Sequence, residues 1–130
     1  MSKMTREVIP GQSPYPISPA VRVGGTMYIS GQLGINPETR SLAVGGIVPE
    51  TRTASPSEPL GRVLEKGGMN YKNVVKCTVY LADLKEVAEM NKVYSEYYTE
   101  KPPARVAVQM AELPLDARVE IEAIAVDCSD

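Results

Sequence analysis

The chain contains no histidine, no tryptophan and no phenylalanine among its 130 residues. Without histidine, the commonest general base and the commonest metal ligand are both missing, so Ser-His-Asp, Cys-His and His-metal chemistry are excluded. Only two cysteines are present, Cys77 and Cys128, each in an apolar, strand-like run with no second cysteine nearby. This pattern favours buried, reduced thiols over the disulfide framework of a secreted protein.

Long apolar runs and an excess of basic charge are also lacking. No uncharged apolar stretch approaches the length of a bilayer span, and the opening MSKMTREVIPGQ lacks the apolar segment of a signal peptide. The formal net charge is −2 and Lys and Arg are scattered, so nucleic-acid binding is disfavoured. We therefore expect a soluble, cytoplasmic protein that does not bind membranes, with an organellar location left open.

The composition that is present is typical of one compact domain spanning residues 1–130. Hydrophobic residues make up 43% of the chain and charged residues 23%, which is ordinary for a folded soluble protein. A chain of this length can remove roughly two-thirds of its unfolded surface from water, so a real core is expected. No internal repeat or low-complexity segment is visible.

The spacing of apolar residues predicts the element order β-β-β-α-β-α-β-β. TREVI and AVRV are strand-like, and Gly24-Gly25 between AVRV and TMYISGQLGI indicates a hairpin turn. NVVKCTVYLAD alternates, which predicts two sets of side chains on opposite faces: Val75, Cys77, Val79 and Leu81 on one, Val74, Lys76, Thr78 and Tyr80 on the other. ARVAVQM and VEIEAIAVD are the last two strands. The order predicts an α+β domain with two helices on one sheet face.

The prolines indicate that the first helix begins late. Three of them lie between Pro49 and Pro59, which predicts an irregular or only briefly helical segment from Pro49 to Ser55. We expect the helix to begin near Ser57 as N-cap, with Pro59 in its first turn, and to end at Gly67-Gly68. The second helix is predicted from Lys85 to Tyr98.

The run VEIEAIAVD places two acids in an apolar strand close to the C-terminus. Alternation predicts a core face of Val119, Ile121, Ala123 and Ala125. The opposite face then holds Glu120, Glu122, Ile124 and Val126. Two acids beside two large aliphatics are typical of a subunit interface with a polar pocket.

The neighbouring run ARVAVQM predicts a similar division of side chains. Val106, Val108 and Met110 take one face, and Arg105, Ala107 and Gln109 take the other. If these two strands share a sheet, Arg105 and Glu120 can lie together on its non-helical face. On pattern alone, a solvated Arg–Glu pair is favoured by roughly two to one over a functional site.

Other polar residues have ordinary interpretations beside functional ones. Asn91 is the one amide in the apolar stripe of the second helix, and a boundary residue bonded to backbone or water is the simpler interpretation. Ser30 to Gln32 could present backbone N–H groups at a bulge, although a strand end explains SGQ equally well. Tyr94, Tyr97 and Tyr98 are predicted to pack in the core and at an interface rather than to act as catalytic phenols.

Four segments resemble the Rid family (YjgF, reactive intermediate deaminases): YISGQLGINP, NVVKCTVYLAD, MNKVYSEYY and PPARVAVQMAELPLDARVEIEAIAVD. The match covers nearly the whole chain, and the pairing of PAR with VEIEAIA at this spacing is highly specific. The resemblance implies a chorismate-mutase-like (YjgF-type) α+β domain with a mixed sheet. It also implies a homotrimer whose sheets form an inner β-barrel, with sites in clefts between subunits.

The resemblance further implies hydrolytic deamination of reactive enamines and imines, such as 2-aminoacrylate, 2-iminopropanoate and 2-iminobutanoate, to 2-oxo acids and ammonia. The substrate is a small imino acid, and neither a metal nor a cofactor is needed because the imine is already activated toward water. The family's catalytic arginine and glutamate fall on Arg105 and Glu120. Its substrate-binding positions fall on Ser30, Gly31, Asn91, Ala107, Ile17 and Tyr15.

Two of these positions depart from the common family pattern. Ile17 stands where the family often has a tyrosine, with Tyr15 two residues earlier, and Ala107 stands where many members have cysteine. Because of the lost tyrosine, a non-catalytic module that binds small acids or another protein is the alternative function. Ribonuclease activity, ascribed to some relatives, is disfavoured by the acidic balance and the lack of histidine.

Overall fold

The computed structural model describes residues 3–11, 13–54 and 59–128. Within these residues six strands form one mixed sheet: β1 (Arg6–Ile9), β2 (Ala20–Val23), β3 (Thr26–Leu33), β4 (Val74–Leu81), β5 (Ala104–Gln109) and β6 (Val119–Val126). The strand order is β1-β2-β3-β6-β4-β5. Neighbouring strands are antiparallel except β4 and β5, which are parallel. The last strand of the sequence therefore lies inside the sheet, paired on both edges.

The predicted hairpin is confirmed between β2 and β3. Val23 pairs with Thr26 across the two-residue turn. Gly24 has a positive φ of 59°, a conformation that glycine adopts without the steric cost of a Cβ.

In the described ranges three α-helical segments lie on one face of the sheet: α1 (Ile47–Ala54), α2 (Pro59–Lys66) and α3 (Val87–Tyr94). Their apolar side chains share one core cluster with the inward side chains of β3, β4 and β6. The predicted α+β domain with helices on one sheet face is thus confirmed, with the first helical region formed by α1 and α2.

Of the two outcomes predicted for Pro49 to Ser55, the irregular segment is wrong and the brief helix is confirmed, because the eight-residue α1 runs through most of this stretch. Pro49 is the third residue of α1, and a proline in the first turn removes an N–H that has no intrahelical partner. The proposed N-cap Ser57 lies outside the described residues. Pro59 is the first residue of α2, as predicted.

The predicted end of α2 at Gly67-Gly68 is confirmed. The Gly68 N–H donates to the Glu65 carbonyl and the Met69 N–H to the Leu64 carbonyl. Gly68 has a φ of +76°, so this is the Schellman arrangement in which a left-handed glycine satisfies the last helical carbonyls. By contrast, α3 is shorter than the predicted Lys85–Tyr98, since a 3₁₀ turn (Leu84–Glu86) precedes it and turns follow Tyr94.

Alternation along β6 is confirmed residue by residue, with Val119, Ile121, Ala123 and Ala125 buried. On β4 the prediction fails at one end, where Val74 is buried and Val75 is 40% exposed. A register shift between Val74 and Lys76 in the pairing with β6 explains why Val74, and not Val75, faces the core. An irregularity of this kind reverses which side chains face the core.

The two cysteines differ in environment. Cys77 is buried as predicted, and burial raises the pKa of its thiol. The prediction for Cys128 is wrong, because it is exposed just beyond the end of β6. Among the residues described, no helix has the length and apolarity to cross a bilayer.

Close backbone contact between the end of β3 and α1 generates a stability prediction. A Cβ at Gly34 would lie 2.3 Å from the Glu50 carbonyl oxygen, whereas a Cβ at Gly25 would meet nothing within 4 Å. Gly34→Ala is expected to lower the free energy of unfolding by about 2 kcal/mol or more, because backbone atoms must move apart. Gly25→Ala, the matched control, should change it by roughly 0.5 kcal/mol or less. Equal denaturation midpoints for the two variants would contradict this packing.

Candidate functional site

Arg105 lies near the start of β5 and is held by α3. Its Nη1 donates a hydrogen bond of 2.7 Å to Oδ1 of Asn91, and its guanidinium carbon lies 4.8 Å from the centroid of the Tyr94 ring. Asn91 and Tyr94 are three residues apart on α3, so they occupy the same helix face. One exposed guanidinium is therefore oriented by an amide and an aromatic ring together.

The side chains of β5 face the opposite way from the prediction: Arg105 and Ala107 lie on the helical side of the sheet, and Val106 lies on the other side. Arg105 pairs with Cys77 and Ala107 pairs with Val79, and both partners are buried beneath the helices. Ala107 packs against the core, whereas Val106 is 46% exposed. Arg105, Asn91 and Ala107 thus form one cluster on the helical face, called here the arginine cluster.

Glu120 is half-buried beside the bulge of β3. The pairing of β3 with β6 shifts between Ile29 and Gln32, which places Ser30 and Gly31 at an irregularity, as the bulge interpretation of SGQ predicts. A Cβ at Gly31 would lie 2.6 Å from Oε2 of Glu120. Glycine at this position therefore leaves the space that the carboxylate occupies.

A cleft of about 400 Å³ opens beside this bulge and is lined by Ile17, Ser30 and Gly31, among others. The Ser30 hydroxyl donates to the Ser18 carbonyl at 2.7 Å and the Ser30 N–H to the Pro19 carbonyl at 2.9 Å, which fixes the chain between them. Ile17 is 60% exposed and Tyr15 is 69% exposed. Ile17, Ser30, Gly31 and Glu120 form the second cluster, called here the glutamate cluster.

The expectation that Arg105 and Glu120 share the non-helical face is wrong. Glu120 pairs with Tyr80 on β4, one position away from the buried Val79, so Glu120 points away from the helices. Arg105 lies on the opposite face and donates a hydrogen bond to Asn91. A solvated Arg105–Glu120 pair is excluded by the same register, and Asn91 is not a simple boundary amide.

The non-helical face concentrates negative charge around Glu120. Partial burial raises the pKa of Glu120, and the nearby Glu122 carboxylate raises it further. Glu122 accepts a 2.8 Å hydrogen bond from the Tyr80 hydroxyl, and this bond raises the pKa of Tyr80 because the carboxylate stabilises the protonated phenol. Glu120 is therefore a carboxylate with an increased affinity for protons.

Sequence reasoning missed two contacts at these clusters. Tyr94 was assigned to packing alone, although its three-residue spacing from Asn91 signals a common helix face. The Tyr80–Glu122 bond was also missed, although both residues were predicted to point away from the core. No group of three or more His, Cys, Asp or Glu side chains suited to a metal ion occurs among the described residues.

Comparison with known proteins finds similar chains over nearly the whole length of this one. Residues 10–127 match the family described as endoribonuclease L-PSP. A 2-iminobutanoate/2-iminopropanoate deaminase of Capra hircus is 45% identical over 130 residues, covering 97% of this chain and 93% of that protein. A RutC family protein of Pyrococcus abyssi is 44% identical over 126 residues, covering 94% and 98%. A solved Rid family protein of Yersinia pestis has a TM-score of 0.87 and 31% identity, covering 94% of this chain and 99% of that one.

The electrostatics of the glutamate cluster generate a titration prediction. The pKa of Glu120 is expected to lie above the ordinary value of 4.5. Glu122→Gln should lower it without restoring the ordinary value, because removing the like charge leaves the desolvation unchanged. The measurement is a ¹³C NMR titration of the Glu120 carboxyl in both proteins. An ordinary pKa in the unmodified protein, or a higher pKa in Glu122→Gln, would contradict the described environment.

Proposed function

The chain belongs to the endoribonuclease L-PSP (YjgF/Rid) family, and on that premise we propose that it hydrolyses reactive enamines and imines. The substrates are 2-aminoacrylate, its tautomer 2-iminopropanoate, and 2-iminobutanoate, and the products are 2-oxo acids and ammonia. The observation that carries the proposal is the presence of two clusters of opposite charge. One contains the Arg105 guanidinium, oriented by a hydrogen bond to Asn91, and the other contains the Glu120 carboxylate, whose pKa is raised.

The names of the relatives support this chemistry over RNA cleavage. The mammalian relatives at 41–45% identity are named 2-iminobutanoate/2-iminopropanoate deaminase. The family description refers to an endoribonuclease, but this chain has a formal net charge of −2 and no histidine. RNA binding draws most of its affinity from cationic side chains at phosphates, so a small anionic substrate is the better fit.

Arg105 is assigned to the carboxylate that every 2-imino acid carries. A guanidinium offers parallel N–H groups that match a planar carboxylate bidentately. The Asn91 side chain accepts a hydrogen bond from one N–H group of Arg105, and the Tyr94 ring covers one face of the guanidinium. The remaining N–H groups therefore point in a fixed direction. The arginine cluster is thus suited to holding the substrate by the group that does not react.

Glu120 is assigned to the water that attacks the imine carbon. Its raised pKa makes the carboxylate a stronger base toward a bound water, which is the direction that favours general base catalysis. As the C–O bond forms, the water proton passes to Glu120 and the imine π electrons move to nitrogen. Return of that proton to nitrogen gives a 2-amino-2-hydroxy acid. Glu120 then takes the proton of the new hydroxyl group and passes it to the amino nitrogen, so that the C=O bond forms as the C–N bond breaks, which releases ammonia and leaves the 2-oxo acid.

The position of the two clusters leads us to propose a homotrimer with sites between subunits. Because Arg105 and Glu120 lie on opposite faces of one sheet, the arginine cluster of one subunit must meet the glutamate cluster of another. The non-helical face supports this assembly, since half-buried Ile124 and Val126 lie beside the acids. Sheets brought together through this face would form the inner β-barrel expected from the sequence.

The test of the proposed function is release of 2-oxo acid and ammonia from enzymatically generated 2-aminoacrylate, with and without the protein. Acceleration at substoichiometric protein supports hydrolysis. Binding of a 2-oxo acid without acceleration would instead support a non-catalytic binding module, for which the exposed Ile17 in place of a tyrosine is the relevant feature.

The role of Arg105 generates a mutational prediction. Arg105→Lys is expected to lower the imine hydrolysis rate about a hundredfold, because a compact ammonium cannot make the bidentate bond and misplaces the imine carbon. Arg105→Ala should be at least as damaging. Arg22→Lys is the matched control, because Arg22 bonds the Gly67 carbonyl and Asp127, away from both clusters.

Stability and assembly should survive both Arg105 changes, as judged by thermal unfolding and sedimentation. Full activity in Arg105→Ala would overturn the assignment. Dissociation of the assembly in that variant would favour a structural role for Arg105 over a substrate-binding one.

A further inference from the structure

We propose that Tyr94 is a positioning residue that fixes the direction of the Arg105 guanidinium through its ring face, and thereby sets the affinity for the substrate carboxylate. The inference rests on the proposed function and extends it to a residue that does not touch the substrate. It begins from the distance of 4.8 Å between the Arg105 guanidinium carbon and the centroid of the Tyr94 ring. A cation within about 6 Å of a ring centroid is attracted by the negative ring face.

The Tyr94 ring is itself held by other rings. Its centroid lies 4.6 Å from that of Tyr98, and Tyr98 makes an edge contact of 6.3 Å with Tyr71. Tyr98 is 9% exposed, so the middle of this row is part of the core. The guanidinium therefore rests on a ring that is packed from behind rather than on a mobile surface side chain.

The polar ends of these rings point into the core. The hydroxyls of Tyr94 and Tyr98 are buried near the Cys77 thiol, where burial raises the pKa of the thiol and hydrogen bonding to the two hydroxyls lowers it by a smaller amount. A thiol is a weak hydrogen-bonding group, so this contact constrains Tyr94 less than the packing of its ring does. We therefore assign the effect on Arg105 to the ring face.

Asn91 and Tyr94 restrict the guanidinium in different ways. Asn91 fixes one end through the 2.7 Å bond to Nη1, and Tyr94 fixes the plane. Among the described residues, Asn91 is the one hydrogen-bond partner of this guanidinium, so the edge bearing Nε and Nη2 remains for a carboxylate. Without the ring, the guanidinium could rotate about its bond to Asn91, and the bidentate geometry would be lost part of the time.

Variants that separate the ring from the hydroxyl test the proposal. Tyr94→Phe keeps the ring, whereas Tyr94→Leu and Tyr94→Met remove it and fill part of its volume. Tyr71→Leu is the control, because it removes a ring from the far end of the row, where the contact is with Tyr98. The measurements are KM and kcat for 2-iminobutanoate, calorimetric binding of 2-oxobutanoate, thermal unfolding and sedimentation.

Tyr94→Leu and Tyr94→Met are expected to raise KM and to weaken 2-oxobutanoate binding about five- to thirtyfold, as loss of a cation–π contact implies. The value of kcat should change less, and Tyr94→Phe and Tyr71→Leu should stay within about threefold of the unmodified protein. A purely structural role would instead lower thermal stability with no selective loss of carboxylate affinity.

Two outcomes would overturn the proposal. One is unchanged KM and 2-oxobutanoate affinity in a folded, assembled Tyr94→Leu or Tyr94→Met. The other is Tyr94→Phe as damaging as Tyr94→Leu, which would assign the effect to the hydroxyl. If the unmodified protein binds 2-oxobutanoate but hydrolyses no imine, the proposed function fails while the binding measurements still decide the role of Tyr94.

Discussion

The strand register from β6 through β4 to β5 is the constraint on which the site depends. Alternate side chains on a strand point to opposite faces, and paired residues on neighbouring strands share a face. Glu120 pairs with Tyr80, whereas Arg105 pairs with Cys77, an odd number of positions away on β4. The acid and the cation are consequently separated by the sheet itself. Under the proposed function, a site that uses both side chains would therefore combine two copies of the chain.

The two clusters differ in how each is prepared for its role. The guanidinium of Arg105 is restrained by a hydrogen bond and a ring on α3, which favours a fixed direction. The carboxylate of Glu120 makes no such bond to the residues that the structure describes, and its pKa is raised by partial burial and by Glu122. Orientation and proton affinity are thus supplied by opposite faces of one sheet, and substrate binding between subunits would combine them.

Much of the fold could be predicted because local patterns and tertiary packing agree. The alternation in VEIEAIAVD, the Gly24-Gly25 turn and the glycine end of α2 each have a local cause, and each is confirmed. For the segment from Pro49 the sequence left open an irregular path or a brief helix, because a proline count treats all positions alike, whereas a proline in the first turn costs little. In the helical conformation this segment buries Ile47 and Ala54 in the core, which favours the helix.

The faces of β5 could not be predicted for a different reason. In ARVAVQM the valines at 106 and 108 look like the inward set, yet β5 is an edge strand whose orientation is fixed by parallel pairing with β4. Parallel pairing joins segments that are far apart in the sequence, so the residues of β5 alone do not indicate it. The candidate site residues were identified from a family resemblance, but their division into two clusters follows from this register alone.

The most direct test of a site built from two subunits is co-expression of Arg105→Ala with Glu120→Ala chains carrying different affinity tags. Each variant alone is expected to be inactive toward 2-aminoacrylate. If the assembly is the proposed trimer, about one cleft in three of each mixed assembly should receive an intact Arg105 from one chain and an intact Glu120 from another, and activity should recover to a similar fraction. Recovery after purification through both tags is the predicted result. Confirmed mixed assemblies with no recovered activity would contradict the account.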